Sequence, residues 1–400
     1  MTEKLYYQDS HQKEFTARVL SCEWDEKRSC YGVVLDKTVF FPEGGGQYAD
    51  AGDLNRIPVE DVQEKGDVIT HYVKEPLEEG DEVFGSIDYG ERFSKMQQHT
   101  GEHIVSGLVH KHFGYDNVGF HLGRELVTMD FNGSLTKEQL RMIEREANEA
   151  VTSNIPVQVT YPSKEELEGM EYRSKKELTG QVRIVTVPGY DVCACCAPHV
   201  VLTGEIGVIR LVDGTKYKGG TRVTMVCGFR ALEDCCVKED NILEISHLLS
   251  AKPYEVAEAV KRLWKENQQT KDKLFRMESR YLDGKMEELV SSHPADGPDT
   301  DSKGLDCFLL FEEEMDKNAA RRFVDTGMHR FKGICGIFIG NDRNGYQYIL
   351  GSQQVNLREL LKELHQRCPG KGGGKPEMVQ GTVSGTRTLL EGFFETLSPM

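Results

Sequence analysis

"QQHTGEHIVSGLVHKHFG", Gln97 to Gly114, reads as a single helix. Ile104, Val105, Leu108, Val109 and Phe113 recur at helical spacing on one side, and Gly114 is a natural stop. His99 and His103 stand at i and i+4, so both imidazoles leave the same face of that helix. Two metal ligands come from one helix in this way.

Working outward, the flanking sequence is rich in strands. Residues 1 to 88 alternate short β-type runs ("ARVLSCEW", "YGVVLDKTVFF", "VITHYV") with turns and predict a small β-barrel or sandwich. Within it lies "FFPEGGGQYADAG", where Gly44, Gly45 and Gly46 allow a tight turn or a long hairpin loop ahead of Gln47. After the helix come a strand, "LVTMDF", and a capping box, Thr136 with Gln139, that opens a second helix burying Leu140, Ile143, Ala147 and Val151. The strands "VQVTYP", "VRIVTV", "GEIGVIRLV" and "TRVTMVCG" complete an α+β domain over 89–235.

Over 236–292, Val256, Val260, Leu263, Asn267, Thr270, Leu274, Met277 and Tyr281 follow a 4,3,4,3 spacing, a heptad seam with Asn267 at a register-fixing position. This predicts a helical coiled-coil linker, either an intrachain hairpin or a homodimer contact. "SSHPADGPDTDSKG" reads as a linker, and residues 300–400 as a C-terminal α/β domain. The fold class is therefore α+β, multidomain.

The 400 residues, 28% charged and 38% hydrophobic, fit a soluble protein of two to four domains. The N-terminus has no signal or transit pattern and no run reaches a membrane span, which predicts a cytoplasmic protein. Eleven cysteines, an odd number with no export signal, point to a reducing compartment. A net charge of −16 argues against gripping nucleic acid over the whole surface, because such binding is driven by Lys and Arg. A local basic groove remains compatible with it.

Cys195 and His199 in "CACCAPH" add S and N donors to His99 and His103, a set that suits tetrahedral zinc. By spacing alone, Cys193 and Cys196 are equal candidates for the thiolate. "HTGEH" also fits the H-x-x-E-H pattern of inverted zinc peptidases, with Glu102 as general base and a third ligand such as Glu166 or Glu168. That alternative leaves Cys195 and His199 unused.

"HTGEHIVSGLV", "LRMIEREANEAVTSNIPV" and "YDVCACCAPHVVLTGEIGVIRLV" together resemble the editing domain of alanyl-tRNA synthetases and the free-standing AlaX editing proteins. The family's C-G-G-T-H-V is matched at its ends by Cys195, His199 and Val200, and "TGEIG" is intact at 203–207, which favours Cys195 as ligand. "FFPEGGGQYADAGDL" is similar to the family's glycine-rich segment, and "GKGGGKPEMVQG" resembles a loop of the synthetase's C-terminal domain. Two departures stand out: Cys196, Ala197 and Pro198 replace Gly, Gly and Thr, and Glu102 stands where Thr or an apolar residue is common.

With no aminoacylation core ahead of residue 1, the resemblance implies a long-form AlaX acting in trans, an ATP-independent, zinc-dependent hydrolase of seryl-tRNA(Ala) or glycyl-tRNA(Ala). A synthetase pocket for alanine rejects an added hydroxyl by only about a hundredfold, so a second site is needed. The resemblance places His121, a catalytic candidate, near the substrate; His121 and Thr128 are candidates for reading the serine hydroxyl, or a structural histidine and a strand threonine, and Gly44, Gly45, Gly46 and Gln47 are candidates for binding the substrate. Glu102 either orients the reacting water or is solvated. Lys371, Gly372, Gly373, Gly374 and Lys375 are candidates for tRNA phosphates, since Pro376 after Lys375 rules out a Walker motif. A non-catalytic, zinc-stabilised tRNA-binding protein is the remaining reading.

Overall fold

The computed structural model describes residues 1–174, 181–292, 306–330 and 332–397. Two compact units emerge, Met1–Glu244 and Ile245–Met400.

The first unit begins with six strands, Glu14–Asp25, Cys30–Leu35, Val68–Val73, Ile57–Lys65, Gly52–Leu54 and Glu82–Ile87, each paired to the next and the last paired back to the first. Closure leaves no free edge, and alternate residues such as Val33, Leu35, Val62, Ile69 and Val73 fill the interior. Helix α1 (Tyr89–Phe113) follows at once, capped by Asp88 and ended by Gly114 in the left-handed conformation. A four-stranded antiparallel sheet, in the order Ile209–Tyr217, Gly220–Cys227, Val127–Phe131, Asn117–Leu122, carries α1 and α2 (Lys137–Thr152). The capping box of Thr136 and Gln139 opens α2. A smaller sheet, Gln158–Thr160, Ile184–Val187 and Asp191–Ala194, closes over the other side of α1, and the short α3 (Lys164–Glu168) precedes its central strand.

α1 is buried along nearly its whole length, although Arg92, Lys95, Gln97, Gln98, His99, Thr100, Glu102, His103 and Ser106 are polar. A helix buried all round is ordinarily apolar, so each of these groups needs a partner. Gln98 supplies one pair, accepting from Cys227 N at 2.7 Å and donating to Cys227 O at 2.9 Å. Near the barrel, Arg92 donates to Asp50 Oδ2 at 2.9 Å and Lys95 to Ala49 O at 2.7 Å, which ties the end of the glycine-rich loop to α1.

Gly107 is where α1 comes closest to the small sheet. A Cβ at this position would lie 2.2 Å from Tyr190 O and 2.9 Å from Asp191 Cβ. Gly107→Ala is expected to lower stability by about 1–3 kcal/mol through overpacking, despite alanine's better helix propensity. A urea midpoint equal to or above wild type would contradict this reading.

"TGEIG" is not a strand: Thr203–Ile206 forms a 3-10 turn in which Leu202 N donates to Glu205 Oε1, and the strand starts at Ile209.

α4 (Gly228–Leu249) runs from the first unit into the second, where α5 (Val256–Ser292) is one long helix. Seam residues Leu263 and Met277 are 51% and 59% exposed, and towards its end α5 joins a core with α6 (Lys317–Arg330) through Leu282 and Met286. At the other end of α5 Val256 and Ala259 are buried, as is Ser246 near the end of α4. From His293 onward the expected linker falls outside them.

The C-terminal sheet, in the order Asp306–Glu312, Gly333–Asn341, Gly345–Gly351, Met378–Val383, Gly370–Lys375, packs with α6, α7 (Leu357–Arg367) and α8 (Arg387–Glu395). "GKGGGK" is thus an exposed edge strand, not a loop. Its ladder to Met378–Val383 holds glycines that side chains would crowd: a Cβ on Gly372 would meet Tyr348 Oη at 1.9 Å. Among the described residues no helix is long and apolar enough to cross a membrane.

Candidate metal centre

The periodicity of α1 puts His99 and His103 on one face, and the strand Asp191–Ala194 runs on into Cys195 and then the turn that carries His199. One donor atom each from His99, His103, Cys195 and His199 lies within 4.8 Å of all the others. Cys195 Sγ is 3.3 Å from His199 Nε2 and 3.5 Å from His99 Nε2. Those separations match the edges of a tetrahedron with bonds of about 2.0–2.3 Å, roughly 3.3–3.6 Å.

The outer hydrogen bonds set the imidazole tautomers. Thr100 Oγ1 gives its only proton to Met96 O at 2.8 Å, so at 3.0 Å from His199 Nδ1 it can only accept, and Nδ1 carries the hydrogen. Gln47 Oε1, an acceptor, lies 3.1 Å from His99 Nδ1. Asp191 Oδ2 lies 2.9 Å from His103 Nδ1. In His199 the Nε2 lone pair is thereby left for a cation, and the oxygens beside Nδ1 of His99 and His103 favour the same tautomer there. Burial pushes the Cys195 thiol up and His199 down, aided by the neighbouring histidines, so both are held neutral without a cation. A bound divalent ion reverses this for the thiol, since a coordinating thiol is deprotonated. Donor set, spacing and tautomers all fit zinc.

Cys196 is exposed and sits beside the glycine-rich loop, where a Cβ on Gly45 would meet its Sγ at 3.3 Å. Cys193 is buried and groups with His103 and Asp191. Asp191 is held below the usual carboxylate range: burial opposes this, but hydrogen bonds from His103 and Arg173 outweigh it.

Glu102 is not solvated. It is buried, and its Oε1 accepts from Ser106 Oγ and from Asn117 Nδ2, each at 2.7 Å. The amide orientation of Asn117 is set by Gly119 N, which donates to its Oδ1 at 3.2 Å. Glu102 Oε2 then points to the ligand side, 3.9 Å from His103 Nε2. Neither Glu166 nor Glu168 joins a ligand group among the described residues, and Glu166 is spent capping α3, accepting from Ser163 N at 2.7 Å. The peptidase reading loses its third ligand.

The glycine-rich loop packs on the strand Asn117–Leu122, with Leu122 N donating to Gly46 O at 3.0 Å. Gly46 has φ +83°, and a Cβ there would meet Phe120 at 2.8 Å. Gly44, Gly46, Gln47, Tyr48, His121 and Arg124 border a cavity of about 510 Å³, and Gln47 links it to His99. Thr128 is opposite His121 in register, on the sheet face away from core residues Val127 and Met129. Thr128 thus shares the face of His121, which borders the cavity, while Phe120 on the other face is the strand residue whose ring meets His99, at 4.9 Å. Lys371 to Lys375 lie in the other compact unit. Sequence reasoning missed Asn117, Ser106, Asp191 and Arg173; only the alternation Asp191, Cys193, Cys195 hinted at one of them.

Three family models match the chain: class II tRNA synthetases (A) over residues 2–91, the threonyl and alanyl tRNA synthetase second additional domain over 182–224, and the DHHA1 domain over 304–398. The alanyl-tRNA editing protein AlaX-L of Pyrococcus horikoshii is 27% identical over 96% of this chain and 95% of its own length. An alanine-tRNA ligase of Methanococcus maripaludis is 30% identical over 97% of this chain and 43% of the ligase. Another, from Natronomonas pharaonis, is 31% identical over 95% of this chain and 42% of the ligase. The chain thus spans less than half the length of those ligases. A solved C-Ala domain of Aquifex aeolicus alanyl-tRNA synthetase matches 25% of this chain at 20% identity with a TM-score of 0.22, too low to assign a fold.

Proposed function

We propose that this chain, which is of the AlaX-L type, hydrolyses the ester of tRNA(Ala) mischarged with serine or glycine, acting as a zinc-dependent deacylase. The observation that carries the proposal is the buried Glu102, fixed by Asn117 and Ser106 with its other oxygen 3.9 Å from Nε2 of His103, one of the four donors His99, His103, Cys195 and His199.

When bound, zinc would be held by His99, His103, Cys195 and His199; four protein ligands fill a tetrahedral shell, so it would polarise the ester carbonyl only with one of them displaced and would otherwise hold the pocket in shape. Glu102 Oε2 accepts the proton of the attacking water while Oε1 stays tied; the acyl C–O bond breaks and the ribose hydroxyl leaves with a proton. Gln47 holds His99, and the cavity beside it, bordered by Gly44, Gly46 and His121, takes the aminoacyl-adenosine end. Phe120 and the glycine-rich loop exclude water on that side. In this reading residues 1–88 supply the loop, 89–235 the chemistry, 236–292 a spacer or homodimer contact, and 300–400 a tRNA-binding face with Lys371 and Lys375 on the exposed edge strand.

The test is release of serine from seryl-tRNA(Ala), with alanyl-tRNA(Ala) as control substrate and a His103→Ala protein as control enzyme. Serine loss many-fold faster than alanine loss, abolished in His103→Ala, is the expected result. No release by a folded, metal-loaded, tRNA-binding protein would favour a non-catalytic binding role.

A further inference from the structure

We propose that Arg173 is a positioning residue of the metal centre, acting through Asp191 on His103. The proposal rests on the four-donor ligand set and is independent of which ester is cleaved.

Arg173 grips Asp191 with two parallel hydrogen bonds, Nε to Oδ1 at 2.6 Å and Nη2 to Oδ2 at 2.9 Å. The same Oδ2 stands 2.9 Å from His103 Nδ1. A planar guanidinium bound through both nitrogens fixes the carboxylate plane, and with it the position of the oxygen that stands against His103 Nδ1. The backbone of Arg173 is fixed as well: its N donates to Val192 O at 2.8 Å and its O accepts from Ala194 N at 2.9 Å. Residue 173 therefore pairs in parallel beside Cys193 on the strand Asp191–Ala194, which leads into Cys195, and side chain and main chain set one geometry together.

Charge makes the arrangement necessary. The Asp191 side chain is 1% exposed, so its negative charge lacks solvent; Arg173, at 15%, is the cation that lies against it. A competing use of these residues is a second metal site from His103, Asp191 and Cys193. Arg173 argues against that, because its positive charge occupies both carboxylate oxygens. The carboxylate is consequently kept for orienting the histidine.

Outer partners of this kind change metal affinity by about 10–100-fold when removed. The full chain would be stripped of metal and titrated with Zn²⁺ against a chromophoric chelator, and separately loaded with Co²⁺ for its visible spectrum. Arg173→Gln is expected to weaken Zn²⁺ binding by about 10–100-fold and to alter the Co²⁺ bands, with Arg173→Lys between it and wild type because an ammonium makes no bidentate pair. Zn²⁺ affinity within about threefold of wild type and unchanged Co²⁺ bands in Arg173→Gln would overturn the proposal. If Arg173→Gln does not fold, Arg173→Lys and Asp191→Asn decide: weaker Zn²⁺ binding in both supports the assignment, and wild-type affinity in either sinks it. These readouts need no tRNA, so a failed deacylation assay leaves them intact.

Discussion

Glu102→Gln is expected to lower the rate of serine release by about 10²–10⁴-fold while one zinc per chain is retained. Glutamine keeps the shape and still accepts from Ser106 Oγ and Asn117 Nδ2 through its carbonyl oxygen, so the buried network at Oε1 survives. What disappears is the carboxylate's capacity to take a proton, at Oε2, 3.9 Å from His103 Nε2. The split between intact metal content and lost turnover is the signature of chemistry at Glu102. Activity within a few-fold of wild type would reduce Glu102 to a packing role and leave the water to be activated by the metal alone.

Cys195→Ala is the second large effect: the chain is expected to lose its zinc and with it deacylation. The three histidines then lack the thiolate that neutralises the ion in a buried site. Cys193→Ala and Cys196→Ala serve as internal comparisons, since Cys196 is exposed beside the glycine-rich loop and Cys193 groups with Asp191. Both are expected to keep one zinc. Retention of zinc by Cys195→Ala together with its loss in Cys196→Ala would mean that the turn at Cys195 rearranges when the metal binds.

Helical periodicity alone identified α1, its stop at Gly114 and the shared face of His99 and His103, and the box of Thr136 and Gln139 marked the start of α2. Such features are local, set by neighbours three or four residues away. The edge strand Gly370–Lys375 was illegible for the opposite reason: glycine-rich sequence favours a loop, and only the ladder with Met378–Val383 makes it a strand.

Glu102 shows the same limit at the site. On a helix taken as amphipathic, a glutamate between two histidines belongs to a polar face, and the bland assumption is solvent. α1 instead lies between the barrel, the four-stranded sheet and the strand Asp191–Ala194, so its polar face is an interior. Asn117 and Ser106 acquire meaning only through that burial, because a buried carboxylate must be hydrogen-bonded.

By itself, then, the sequence determined which residue types are available to a metal and roughly where they lie: two histidines at i and i+4, and a cysteine and a histidine in one short turn. Tertiary structure decided which of Cys193, Cys195 and Cys196 stands beside them, which nitrogen of His199 faces the other donors, and that Arg173 reaches Asp191. Donor chemistry is a property of single side chains and survives in the linear code. Choice among equal donors depends on distances of a few ångströms between elements far apart in the chain, and those exist only once the elements are packed.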